Sequence, residues 1–261
     1  MIDLEKAKEA FQQYLHNYDM SIPSINLKAI HTYEVVKCSD FLCDHLGLDS
    51  HQKALAGLIA LLHDIGRFDQ WLKYESFADH KTVDHAKLSS DILFKDGFIR
   101  NFIEDNQYDD IIKIAIEQHN KYRVDKDIDE HILLYVHLIR DADKLDNFRV
   151  KEDESIETLL LAPYNQVQKD HISEKIYNDF INHKLIYAPD RKTRLDIWLS
   201  YIAFIYDLYF TSSIQYIKEH DYVNKSFDRI IPIEKETLIQ YNHLRQSALA
   251  FIEEKVGLYE K

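Results

Sequence analysis

Five side chains in this sequence have the type and placement for metal chemistry: His31, His63, Asp64, His119 and Asp143. His31 stands four residues from both Leu27 and Val35, His63 four after Ile59, and His119 seven after Ile112, so each falls on or beside the apolar stripe of a helical segment. Asp143 stands four residues after Ile139 and seven after Val136, which delivers a carboxylate to the same kind of buried face. A buried carboxylate without donors or a counter-ion costs several kcal/mol. A divalent cation relieves that cost, and imidazole nitrogen with carboxylate oxygen suits Fe, Mn, Zn, Co or Ni, with Mg also admissible. A single inward histidine is ordinarily a hydrogen-bonded core residue; several of them with carboxylates argue otherwise.

The other histidines ask for less. His16, His45, His51, His131, His137, His171, His183, His220 and His243 lie in polar helical or turn contexts, where a solvated ring is the default. Cys38 and Cys43 share one helical segment, a poor arrangement for a disulfide or a zinc knuckle, and read as reduced structural thiols.

These donors must be carried by helices, because helical periodicity runs almost throughout and no hairpin signal interrupts it. The N-terminal "MIDLEKAKEA" is helical in pattern. Pro23 and Ser24 open a helix that Gly47 would end, and Ser50 is placed to cap the next, whose apolar positions run to Ile65 before Gly66 stops it. Further helices are expected over Asp84–Phe94, Phe98–Glu104, Asp109–His119 and Asp129–Leu145. "KEDESIE" after Val150 reads as a charged connector, followed by helices near Ser173–His183, Lys192–Tyr209 and Glu234–Val256. No repeat at fixed spacing is present. The expectation is an all-α chain: residues 1–150 a helical bundle, residues 151–261 a helical extension packed on it.

The composition bounds the function. With 261 residues, 46% hydrophobic and 30% charged, the chain is an ordinary globular protein. Its formal net charge of -13 repels nucleic acid and anionic membrane surfaces, so neither is an expected partner. Without a signal-peptide pattern or a long apolar run, the expected location is cytoplasmic.

The order His31, His63-Asp64, Asp143, with "LLHDIG" around the pair, resembles the HD-domain metal-dependent phosphohydrolase superfamily over roughly Pro23 to Val150. The resemblance implies an HD-domain helical bundle with a C-terminal helical extension, and one ion held by His31, His63, Asp64 and Asp143. By the pattern of two-metal members, "DHAKLSSDIL" and "AIEQHNKY" supply His85 and His119 to a second ion with Asp64 bridging; His80 competes with His85 but opens a poorer helix. The Gly-Tyr-Pro element of the cyclic-di-GMP phosphodiesterase branch is absent, so that activity is not expected. The implied reaction is hydrolysis of a phosphate ester, on a nucleotide or another small phosphorylated metabolite, by a metal-activated water.

Asp64, Lys144 and Arg67 form the catalytic set under this resemblance. Lys144 can bond the phosphate or the leaving oxygen, or else pair with Asp141 or Asp64. Arg67 can reach the phosphate, or else cap a helix or pair with Asp69 or Asp146. Lys121, Tyr122 and Arg149 follow the donor segments and fit either a pocket lining or a solvated loop. Trp198, Tyr201 and Tyr206 read as core packing rather than a nucleobase stack. Two other functions fit the same donors: a di-iron oxygenase on the same scaffold, and a nucleotide-binding regulatory protein without turnover.

Overall fold

The computed structural model describes residues 2–257, which are helical with no strand among them. They fall into two compact units divided after Asp146.

In the first unit, α1 (Leu4–Leu15) starts on Asp3, whose carboxylate accepts from Lys6 N, and buries Ala7, Phe11, Tyr14 and Leu15. Pro23 occupies the first position of α2 (Pro23–His45), where its missing N–H is no loss. Gly47, at φ +64°, takes the left-handed conformation that ends α2. The cap of α3 (Ser50–Leu62) is Asp49, not Ser50: its side chain accepts from His51 N and Gln52 N, while Gln52 Oε1 accepts from Asp49 N, a reciprocal capping box. From Leu55 to Leu62 every residue of α3 is buried, as befits a helix at the centre of a bundle.

Gly66 does not act as a stop. The expected helix ends early, the chain turning at His63–Ile65, and Gly66 is the first residue of α4 (Gly66–Tyr74), a helix that carried no sequence expectation. What requires a glycine there is a close approach: a Cβ would lie 2.6 Å from Ser89 N, and Gly66 N donates to Ser89 Oγ at 2.9 Å. Ser89 belongs to α5 (His85–Ser90), capped by Asp84. The helix expected over Asp84–Phe94 therefore divides, with Asp91–Lys95 forming a π-helical turn. Over Phe98–Glu104 only a 3-10 turn forms, Phe98–Asn101. Next come α6 (Asp109–Gln118) and α7 (Glu130–Asp153). The "KEDESIE" connector is partly helix: α7 runs through Lys151–Asp153, with Arg149 paired to Asp153 at 2.8 Å, before Ser155 caps α8 (Ile156–Leu160).

The second unit continues with α9 (Tyr164–Val167), α10 (Glu174–Ile181), α11 (Arg194–Ile202), α12 (Thr211–Glu219), α13 (Tyr222–Asp228) and α14 (Lys235–Gly257). Of these, α9, α12 and α13 carried no sequence expectation, and the segment expected over Lys192–Tyr209 changes at Ala203 to a 3-10 turn. Trp198 is fully buried with Nε1 donating to Ser226 O at 3.1 Å, and Tyr206 packs edge-on to Phe180; both are packing residues. Tyr201 lies under Lys151 Nζ at 4.5 Å. Buried Asp196 accepts from Ser173 N, Ser173 Oγ, Lys192 N and Thr193 N, tying the start of α10 to α11. No helix of the described residues is long and apolar enough to cross a membrane.

Candidate metal centre

Two helix ends deliver histidines to one point. His63 follows α3 and His119 follows α6, each as the C-cap residue, and each donates Nδ1–H to the carbonyl three residues back, Ala60 O and Ile116 O, at 2.7 Å. His31, inside α2, donates Nδ1–H to Asp146 Oδ2 at 2.5 Å, and His85, opening α5, donates Nδ1–H to Asp79 Oδ2. Carbonyl and carboxylate oxygens only accept, so all four rings carry the proton on Nδ1. In the neutral rings Nε2 is then a bare acceptor.

The four Nε2 atoms converge on Asp64. His31 and His63 lie 3.8 and 3.7 Å from Asp64 Oδ2, and His85 and His119 lie 3.4 and 3.7 Å from Asp64 Oδ1. Asp143 joins the first pair, with Oδ1 3.1 Å from His31 Nε2 and 3.9 Å from His63 Nε2. His85 Nε2 and His119 Nε2 face each other at 3.0 Å. His31, His63, His85 and His119 are buried, as is Asp64. Yet His31 Nε2, His63 Nε2 and Asp64 Oδ1 have no hydrogen-bond partner. Buried acceptors that crowd together unpaired are costly unless a cation lies among them.

The chemistry of these donors fits a divalent cation, and their outer nitrogens are bonded in the manner that orients metal-ligating imidazole. Two groups, His31/His63/Asp64 and Asp64/His85/His119, have donor atoms within 4.8 Å of one another and share Asp64.

Electrostatics agree. Burial, with charged Arg67 next, pushes His85 down to about 4, and burial pushes His63 down to about 4. Both rings are neutral near pH 7 and able to ligate. Burial and Lys28 pull His31 down, but Asp143 and Asp146 outweigh them and raise it. Burial works against ionisation of Asp64; Lys28 and the neighbouring histidines overcome it and hold the carboxyl well below its usual range. Asp143 is likewise lowered against burial, chiefly by His31.

Among the other sequence candidates, Arg67 Nη1 bonds Asp79 Oδ1 at 2.7 Å, while its Nε lies 3.6 Å from Asp64 Oδ1 and has no hydrogen-bond partner. Asp69 instead accepts from Tyr18. Lys144 is buried and donates to Arg140 O at 3.2 Å. His80 is exposed on the 3-10 turn Asp79–Lys81. Lys121 pairs with Asp125 at 2.6 Å. Tyr122 is exposed beneath Arg123. Cys38 and Cys43 are buried and not joined in a disulfide.

Three contributors escaped the sequence reading. Lys28 Nζ lies 2.9 Å from Asp64 Oδ2; it precedes His31 by three positions on α2, a spacing that puts both on one face. Asp79 backs both His85 and Arg67. Arg140, on α7, donates from Nη1 to Gln118 O at 2.9 Å and to Lys121 O at 2.7 Å, holding the end of α6 where His119 sits.

The family model of the HD domain matches residues 29–147, a segment that contains all six histidine and aspartate donors. No curated protein and no solved structure matches the chain. A helical bundle bringing His31, His63-Asp64 and Asp143 together under that match identifies residues 29–147 as an HD domain, in keeping with the HD-domain metal-dependent phosphohydrolase superfamily.

Proposed function

We propose that the protein is a metal-dependent phosphohydrolase that cleaves a phosphate ester of a nucleotide or another small phosphorylated metabolite, using two divalent transition-metal ions. The observation that carries this reading is the set of four Nδ1-anchored imidazoles whose Nε2 atoms surround Asp64, three of the inward acceptor atoms having no hydrogen-bond partner. His31, His63, Asp64 and Asp143 would hold one ion; His85 and His119, with Asp64 shared, the other.

When bound, divalent ions polarise a phosphoryl oxygen and lower the pKa of water towards about 7. The side chains do the rest. The histidines, locked at Nδ1, fix the donor geometry, and Asp64 and Asp143 supply negative charge matched to cations. Lys28 and Arg67 support an anionic substrate: both stand beside Asp64, and Arg67 Nε is a buried donor still lacking an acceptor, which a phosphoryl oxygen supplies. This cationic pair favours hydrolysis of a phosphate ester over oxygenation of a neutral substrate.

The test is phosphate or nucleoside release from a panel of phosphomonoesters and phosphodiesters by protein reloaded separately with each candidate metal. Turnover that needs metal and disappears in His63→Ala/Asp64→Ala supports the reading. Turnover surviving the double substitution overturns it.

A further inference from the structure

The carboxylate of Asp79 does two jobs at once. Its Oδ1 accepts from Arg67 Nη1 at 2.7 Å and from Gln70 Nε2 at 3.1 Å, while its Oδ2 accepts from His85 Nδ1. Gln70, fully buried in α4, also donates to Thr82 Oγ1 at 2.7 Å and Val83 O at 3.1 Å, pinning the short turn that carries Asp79.

The four imidazoles divide by what stands behind them. In each half of the donor set one ring rests on a carbonyl of its own helix end, His63 on Ala60 O and His119 on Ile116 O. The other ring in each half rests on a carboxylate outside its own helix, His31 on Asp146 of α7 and His85 on Asp79 of the preceding 3-10 turn. A carbonyl three residues back orients its ring whatever the rest of the protein does. A carboxylate on another segment must be held there by the packing of that segment, and its removal leaves the ring free to turn or to exchange its proton between nitrogens.

Asp79, Asp84 and His85 also have donor atoms within 4.8 Å of one another, the geometry of an additional cation site. Their atoms are already bonded. Asp84 Oδ1 accepts from Ala86 N at 3.0 Å and Asn120 Nδ2 at 2.8 Å, and both Asp79 oxygens are engaged. The group is a hydrogen-bonded array that needs no ion.

We infer that Asp79 is a positioning residue: it fixes the His85 ring with Nε2 inward for the second ion, and by the same carboxylate holds Arg67 beside Asp64. The inference rests on the two-ion reading above for its effect on metal binding, and on the hydrogen bonds alone for its effect on the ring.

Two measurements on the full chain test it. Long-range proton–nitrogen NMR of the histidine rings and the arginine Nε–H groups, on metal-free protein, compares wild type with Asp79→Ala. The His85 ring and Arg67 Nε–H signals should move while those of His63 stay. An unchanged His85 ring overturns the proposal, whatever the number of ions bound. Titration with Co2+ then reads the metals: the second ion should bind about 10–100-fold more weakly in Asp79→Ala, with the first unchanged. Asp79→Glu should recover part of that loss. In a His85→Ala background Asp79→Ala should add nothing; an equal further loss there overturns the proposal. If wild type takes up a single ion, the two-ion reading fails, and the NMR comparison alone decides on Asp79.

Discussion

Replacing His63 with leucine should leave the metal-free protein as stable as wild type or more stable, while removing its response to metal. The ring is completely buried, with one bond, Nδ1–H to Ala60 O, and one acceptor, Nε2, that has no partner. Losing the bond costs about 1 kcal/mol, whereas removing an unsatisfied buried acceptor returns about 1–3 kcal/mol. Leucine places an apolar side chain at a position that is already fully buried. The balance is between zero and about 2 kcal/mol in favour of the variant. Loss of a partner from a fully satisfied buried ion pair would instead cost about 3–5 kcal/mol. Urea unfolding of chelator-treated protein measures the difference. Addition of metal at about 100 times its dissociation constant should stabilise wild type by about 2.7 kcal/mol and the variant far less. The reasoning fails if metal-free His63→Leu is destabilised by more than about 2 kcal/mol, since Nε2 would then have had a partner worth keeping.

Gly66→Ala should destabilise the protein by about 1–3 kcal/mol, because the added Cβ meets backbone atoms, Ser89 N at 2.6 Å and Leu88 C at 3.0 Å, which cannot move aside singly. A urea midpoint matching wild type would refute the close approach of α4 and α5. Metal-free protein should also lose stability on mild acidification. His63 and His85 are held to about 4, below the ordinary histidine value of 6.5, so below pH 6.5 the unfolded chain takes up protons that the native rings refuse. Stability present above pH 6.5 should fall by a few kcal/mol on approach to pH 4. A flat urea-midpoint profile across that interval counts against neutral buried rings.

How much of the site was legible depended on whether a residue's role is local. His31, His63 and His119 announced themselves because each lies on an apolar stripe, a property of neighbours within two helical turns. His85 required the family pattern, since Asp84 and His85 open a helix too short to show a stripe. Lys28 and Arg140 stayed hidden because their partners lie 36 and 22 positions away and are met only after the helices pack, and Asp79, six positions before His85, because it sits on a 3-10 turn outside any helical pattern. The errors in the fold have equally physical causes. Gly66 resembles a helix stop, but its backbone is needed for contact with Ser89 rather than for a positive φ. The charges of Lys151–Asp153 resemble a linker, but on α7 they form a polar helical end, with Arg149 and Asp153 paired.

Where His63 and His119 stand, immediately after the last turns of α3 and α6, bears on ionic selectivity. Their rings are hung from helix-end carbonyls, so the spacing between donors is inherited from the packing of two helices and not from adjustable side-chain torsions. Such a cradle resists swelling or shrinking to match ions of different radius. Discrimination then falls to the nitrogen–oxygen character of the donors and to which metal the surroundings supply, with size playing the smaller part.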